Sequence, residues 1–245
     1  MKKLFSFEII KKSLSSAWIW WLVFGIVTSI NLLAFPTMFE ADAEDTSRMM
    51  SLFAETGVGG NGVIFTIIFA VMFAHIFITS EIDRGTLAVT LNTPTTRKQI
   101  LLSKGLVYVA LLIGFPLLVG VVGTLSPIMH GMDFDFGVWW TIVALWALYS
   151  VMAGGIAFAI SCWFNKGRYA LSLSAAILAA FFVLSMLSSI ENFDFLRFLT
   201  LQTLLDMDAA LQGNSVIWQM AAMIVISIPL YVVGVIKFLK KDLPL

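Results

Sequence analysis

SEIDRGTLAVTLNTPTTRKQILLSK, residues 80–104, is the longest polar stretch between two hydrophobic segments of a 245-residue chain. It holds six of the 30 charged residues, five threonines and a proline, in a sequence that is 60% hydrophobic. Long uncharged runs flank it, and they decide the fold class. Crossing a bilayer takes about 20 apolar residues, and six runs are long enough: 13–39, 56–80, 105–132, 136–165, 169–190 and 209–236. A mean hydropathy of +0.95, with 21 Phe and 8 Trp, belongs to a membrane protein and excludes an ordinary soluble domain. The expectation is an all-α polytopic protein, a single transmembrane domain over residues 1–245. Its spans fall near 17–35, 62–80, 105–129, 138–164, 169–189 and 216–236. The segment 81–104 then lies on one side, and segments 36–61 and 190–215 on the other.

Charge gives the orientation, because cytoplasmic flanks of spans are enriched in Lys and Arg. With the N-terminus inside, thirteen of the 15 basic residues fall on the inner side, and only Arg48 and Arg197 fall outside. Eleven of the 15 acids lie outside. A formal net charge of zero therefore hides an inner side at +9 and an outer side at −9. Both termini are expected in the cytoplasm of a cell membrane of the bacterial plasma-membrane kind. The first apolar run is about twice the length of a signal-peptide core and reads as a retained span. Cys162 is the single cysteine, so one chain offers neither a disulfide nor a cysteine metal cluster.

The first twelve residues are basic, and Leu4, Phe7, Ile10 and Leu14 share one side of a helical wheel. They suggest a short interfacial helix before the chain turns into the bilayer. Between spans five and six, Phe193, Leu196, Leu199, Leu204 and Leu205 recur among acids and glutamines, which suits short helices at the outer interface. Pro116 and Pro229 sit inside spans, where neighbouring helices or a cavity must cover the freed carbonyls. Ser150, Gly154, Gly155, Ala157 and Ala159 form a small-residue surface, open at this point to intramolecular packing or to a homodimer seam.

Chemistry of an intramembrane enzyme is not evident. There is no G-x-S-x-G elbow and no H-E-x-x-H helix, and the two histidines, His75 and His130, lie on separate parts of the expected fold. His75 is in mid-span, where an ionisable side chain is a functional candidate, although a hydrogen-bonded core histidine is the simpler reading. GVGGNG, residues 57–62, lacks the Lys-Ser/Thr of a phosphate loop and reads as a flexible approach with Asn61 capping the next helix. EADAEDTSRMMSLF, residues 40–53, starts like a calcium loop but has Ser47 and Phe53 where glycine and glutamate belong, so no metal is assigned.

Helical rules divide the opening stretch. Glu81, Asp83 and Arg84 extend the second helix by a turn, until Gly85 permits a change of direction. Leu87 and Leu91 stand at i, i+4, one edge of a short transverse helix. Thr93-Pro94 stops it, and Thr96-x-x-Gln99 is a capping box that starts the third helix. The pattern Glu81-x-x-x-Gly85-Thr86-Leu87-x-x-x-Leu91-x-x-Pro94-x-x-Arg97-x-x-x-x-Leu102-x-Lys104, between the second and third of six spans, resembles the permease subunits of the ABC-2 transporter family.

That resemblance implies a coupling helix that docks in a groove of a separate ATP-hydrolysing subunit, an interfacial N-terminal helix and short outer helices between spans five and six. Glu81, Asp83, Arg84, Arg97 and Lys98 are then the expected polar contacts with the ATPase, Leu87 and Leu91 the buried edge, and Gly85, Thr86 and Pro94 parts of the same segment. The chain has no G-x-x-x-x-G-K-[ST], so no cofactor is assigned to it; ATP and Mg would be bound by the partner ATPase subunit. The other expected partners are a second permease copy or a homologous permease, and membrane lipid, with no nucleic acid. The leading expectation is an exporter of a hydrophobic or amphipathic substrate such as a drug, antimicrobial peptide or lipid. A membrane immunity subunit that captures toxic peptides without transport, and an intramembrane enzyme, are the competing classes.

Overall fold

The computed structural model describes residues 5–38, 46–85, 96–131, 134–188, 190 and 193–241. All regular structure among them is helical, and six helices are long and apolar enough to cross a membrane. The first, α1 (Phe7–Met38), runs 32 residues, about 48 Å at 1.5 Å per residue. It includes the second half of the basic segment expected to form a separate interfacial helix, with Lys11 and Lys12. Nothing between residues 7 and 24 breaks it: there is no Gly or Pro there, and Ser16 returns its hydroxyl to Ser13 O at 2.8 Å. The interfacial turns are thus continuous with the span.

The second helix, α2, covers residues 46–83 and changes pitch along the way. α-Helix at Thr46–Ala54 passes into π-helix at Glu55–Gly62, back to α at Val63–Ala74, to π at His75–Thr79 and to α at Ser80–Asp83. The expected flexible approach at 57–62 is therefore helical, and Asn61 lies inside the helix instead of capping it. Close packing explains this better than propensity does. A Cβ on Gly57 would meet the Leu32 side chain, and one on Gly62 would lie 2.8 Å from the Trp146 ring, so these glycines let neighbouring helices approach the backbone.

The remaining spans are α3 (Arg97–His130), α4 (Phe136–Trp163), α5 (Gly167–Leu187) and α6 (Ile217–Lys240). Helix α4 is the axis of the bundle: α6, α3, α2 and α5 all pack on it, while α1 leans on α3. Burial is deepest in α4 and α2, with 72% and 67% of their windows inside, against 17% for α5 and 22% for α6. Lipid tails are as apolar as leucine, so close packing and internal hydrogen bonds must hold such a core together. Trp139, Trp146, Tyr108, Phe69 and Phe115 are fully buried there. Their polar atoms are matched: Trp146 Nε1 donates to Thr66 Oγ1 at 2.8 Å, Trp139 Nε1 to Gly120 O at 3.0 Å and Tyr108 Oη to Ala70 O at 2.9 Å.

The small-residue surface of α4 is used within the chain. Gly154 faces the Leu112 side chain and the Tyr108 and Tyr231 hydroxyls, and Gly155 faces Leu230 and Tyr231, so the surface seats α3 and α6 and is closed to a dimer seam. Between α5 and α6 lie two 3-10 helices, Asp194–Leu199 and Leu201–Leu204, and a short α-helix, Met207–Leu211, capped by Asp206 accepting from Ala209 N at 3.0 Å. Phe198 and Trp218 stand outward at 89% and 75% exposure, as aromatic residues do at a membrane interface.

Candidate functional site

The two flanks of the polar stretch meet at the basic end of the bundle. Helix α2 finishes at Asp83, and Gly85 follows with φ 69°, the left-handed conformation a glycine adopts freely at a sharp turn. On the other flank Thr96 caps α3: its hydroxyl accepts from Gln99 N at 3.3 Å, and Gln99 Oε1 accepts from Thr96 N at 2.9 Å. This is the reciprocal capping box that the sequence specifies. Thr86, Leu87, Leu91 and Pro94 lie outside the described residues.

Lys104 joins the flanks. It is 5% exposed, pairs with the Glu81 carboxylate and donates to Phe77 O at 2.9 Å, inside the π-helical turn. A buried ammonium needs both a counter-charge and acceptors, and here it has them. Asp83 reaches the other way, accepting at Oδ2 from Gly167 N at 3.2 Å. Helix α5 has no side-chain cap of its own at Lys166, so a carboxylate from α2 serves its N-terminus, where the helix dipole favours negative charge. A Cβ at Gly167 would meet the His75 ring and would lie 3.2 Å from Asp83 Oδ2, so the glycine permits this approach.

Other links complete the end. Ser6 N donates to Ser103 Oγ at 2.9 Å, tying α1 to α3. Arg97 Nη1 donates to Lys241 O at 3.5 Å, and Lys241 Nζ to Cys162 O at 3.2 Å, tying α3 to the end of α6 and α6 to α4. Burial lowers the Lys241 ammonium to about 8; Cys162 acts against that shift and the Lys237 charge adds to it. Lys237 lies 4.3 Å from the centre of the Trp163 ring. Arg84 and Lys98 are exposed. Residues of the polar stretch thus join α2 to α3 and reach α1, α5 and the end of α6 directly. Sequence reasoning gave Lys104 only as the last position of the pattern and did not foresee its role as the bridge.

The family model for ABC-2 family transporter proteins matches residues 10–243. The chain belongs to the ABC-2 transporter family. Comparison with curated proteins returns no match. As an ABC-2 protein it is a membrane permease subunit of an ABC transporter, in a family that serves transport, is generally not catalytic itself and associates with an ABC ATPase subunit.

Three intramembrane candidates of this ABC-2 chain fall in different surroundings. His75 opens the second π segment beside Gly167, and its Nδ1 is buried without a hydrogen-bond partner among the described residues. Pro116 is buried in α3, where Trp21 Nε1 from α1 donates to the nearby Leu111 O at 3.1 Å. Pro229 is exposed on α6.

The acidic end holds a feature that the sequence did not single out. A cavity of about 370 Å3 lies under the short helices, lined by Glu55, Asp206 and Asp208 with Arg197, Thr200 and Gln202 among others. Gln202 Nε2 donates to Tyr149 Oη at 3.1 Å, which fixes one wall to α4. The contributing segments are some 150 residues apart in sequence, so no local pattern announces them. Among the described residues no group of His, Cys, Asp and Glu is placed to hold a metal.

Proposed function

We propose that the chain is the transmembrane permease subunit of an ATP-driven ABC exporter, with residues 81–104 as the coupling segment that a separate ATPase engages. In this reading the basic end faces the cytoplasm, two permease copies pair, and the cargo is hydrophobic or amphipathic. ATP and Mg are bound by the ATPase. The observation that carries it is Lys104, buried between Glu81 and Phe77 O, which makes the two flanks of the polar stretch one mechanical unit. A push on the segment is then delivered to α2 and α3 together, and through Asp83 to α5, instead of being absorbed by a loose loop.

Exposure and pairing support one allocation of the contacts. Arg84 and Lys98 are exposed and stay available to a partner surface, whereas Glu81 and Asp83 also serve links inside the bundle. Leu87 and Leu91 supply the apolar edge. The test is site-specific photo-crosslinking in membranes that hold the chain with its ATPase. A crosslinker at position 87 or 91 is expected to capture the ATPase, and one at Phe198 or Trp218 is not. Capture from the Phe198 end, or none from 87 and 91, contradicts the reading and favours a capture subunit that works without an ATPase.

A further inference from the structure

A second cavity, of about 210 Å3, opens at the basic end between α1 and the junction of α2 with α3. Liquid water takes about 30 Å3 per molecule, so the space admits a group several times that size. Lys12 from α1 and Arg84 from the end of α2 stand at its edge, both exposed, with the Lys104–Glu81 pair deeper in. That pair cancels itself, which leaves the cavity with two uncompensated cations; neither forms an ion pair among the described residues. Ile9, Ile76 and Phe77 line it as well, beside Ser13, Ser16 and Ser80, and Ile76 and Phe77 lie about two turns further along α2 from the basic end than Arg84.

A pocket with a doubly cationic rim and an apolar wall, at the end of spans where headgroups lie, matches an anionic amphiphile. We propose that it binds the phosphate of an anionic phospholipid headgroup, with Lys12 and Arg84 holding the phosphate oxygens and the start of an acyl chain lying along Ile76 and Phe77. Arg presents a planar fork to phosphate and Lys a mobile point charge, so together they neutralise a phosphodiester from two sides. The occupant would then touch the last turn of α2 just before Gly85 and brace the entry of the polar stretch against α1. The site does not depend on the ATPase reading, since the pocket is complete within this chain.

Native mass spectrometry of the purified full chain, titrated with phosphatidylglycerol, tests it. Each basic residue near an anionic surface contributes roughly fivefold in affinity. The double variant Lys12→Gln/Arg84→Gln is thus expected to weaken the tightest-bound lipid by roughly 30-fold. Lys12→Arg/Arg84→Lys, which keeps both charges, should retain the lipid and controls for damage to the fold. Lys240→Gln, on the same end but away from the cavity, should leave the affinity unchanged. The proposal is overturned if the double Gln variant binds within twofold of the wild type, or if Lys240→Gln weakens binding as much, which would mean surface charge alone. It is also overturned if inorganic phosphate displaces the lipid at equal concentration, since the site would then take a soluble anion.

Discussion

At Leu32 a helix carbonyl is left over, because its usual partner four residues on is Pro36, which has no amide hydrogen. Ser126 Oγ from α3 donates to Leu32 O at 2.9 Å, and both residues are 0% exposed. Water cannot substitute in that setting. Ser126→Ala is expected to lower stability by about 1–3 kcal/mol, the usual cost of an orphaned buried acceptor, with Ser126→Thr milder; thermal unfolding of the detergent-solubilised chain measures it. Lys241 offers a second test at this scale. Lowered to about 8 by burial, its amine should be acylated increasingly as pH rises through 8. Peptide mass spectrometry of the acylated chain at a series of pH values follows this, and a midpoint near the ordinary lysine value of about 10.4 would contradict it. Neither pairing was legible in the sequence. Pro36 was placed at the edge of a span instead of inside a helix, and the partner of its freed carbonyl comes from 94 residues away.

Helix α2 shows the same division between what a chain states locally and what its neighbours decide. Its apolar run was plain from residue 56 onward, and the Thr96/Gln99 box at the start of α3 was readable because a cap is a matter of four consecutive residues. The glycines at 57–62 were misread, since in water they would favour a loop. Gly57 sits against Leu32, which is also the residue a Cβ on Gly123 would approach at 3.2 Å, so one leucine is wedged between α2 and α3. Gly57→Val should therefore cost about 1–3 kcal/mol through overpacking. Gly60, where a Cβ meets only Glu55 O at 3.7 Å, should accept alanine at no cost. Comparing the unfolding midpoints of the two variants checks the wedge. Equal effects would show that helix propensity, and not contact, governs this segment.

For the whole molecule, the separation of charge was the most legible feature, because the positions of Lys and Arg relative to spans are set by insertion and not by packing. Six spans, the short helices between the last two and the start of α3 followed from sequence alone. The links at the basic end did not. Glu81 and Asp83 read as displayed charges, and only the fold shows that Lys104 from α3 and Gly167 from α5 meet them. Breaking a buried ion pair by removing one partner typically costs about 3–5 kcal/mol, reduced here because Glu81 is 24% exposed. Lys104→Met is accordingly expected to destabilise the chain more than Glu81→Gln, since it also strips Phe77 O of its donor, and denaturant unfolding of both variants ranks them.

The proposed coupling requires the polar stretch to be the place where an ATPase grips the permease. The most direct measurement is ATP hydrolysis by the chain reconstituted with its ATPase, beside co-purification of the two, for the wild type, Leu87→Asp and Leu91→Asp. The prediction is that both substitutions, in permease that remains monodisperse, sharply weaken association and abolish the permease-dependent part of hydrolysis. Wild-type association and hydrolysis in both variants would contradict it.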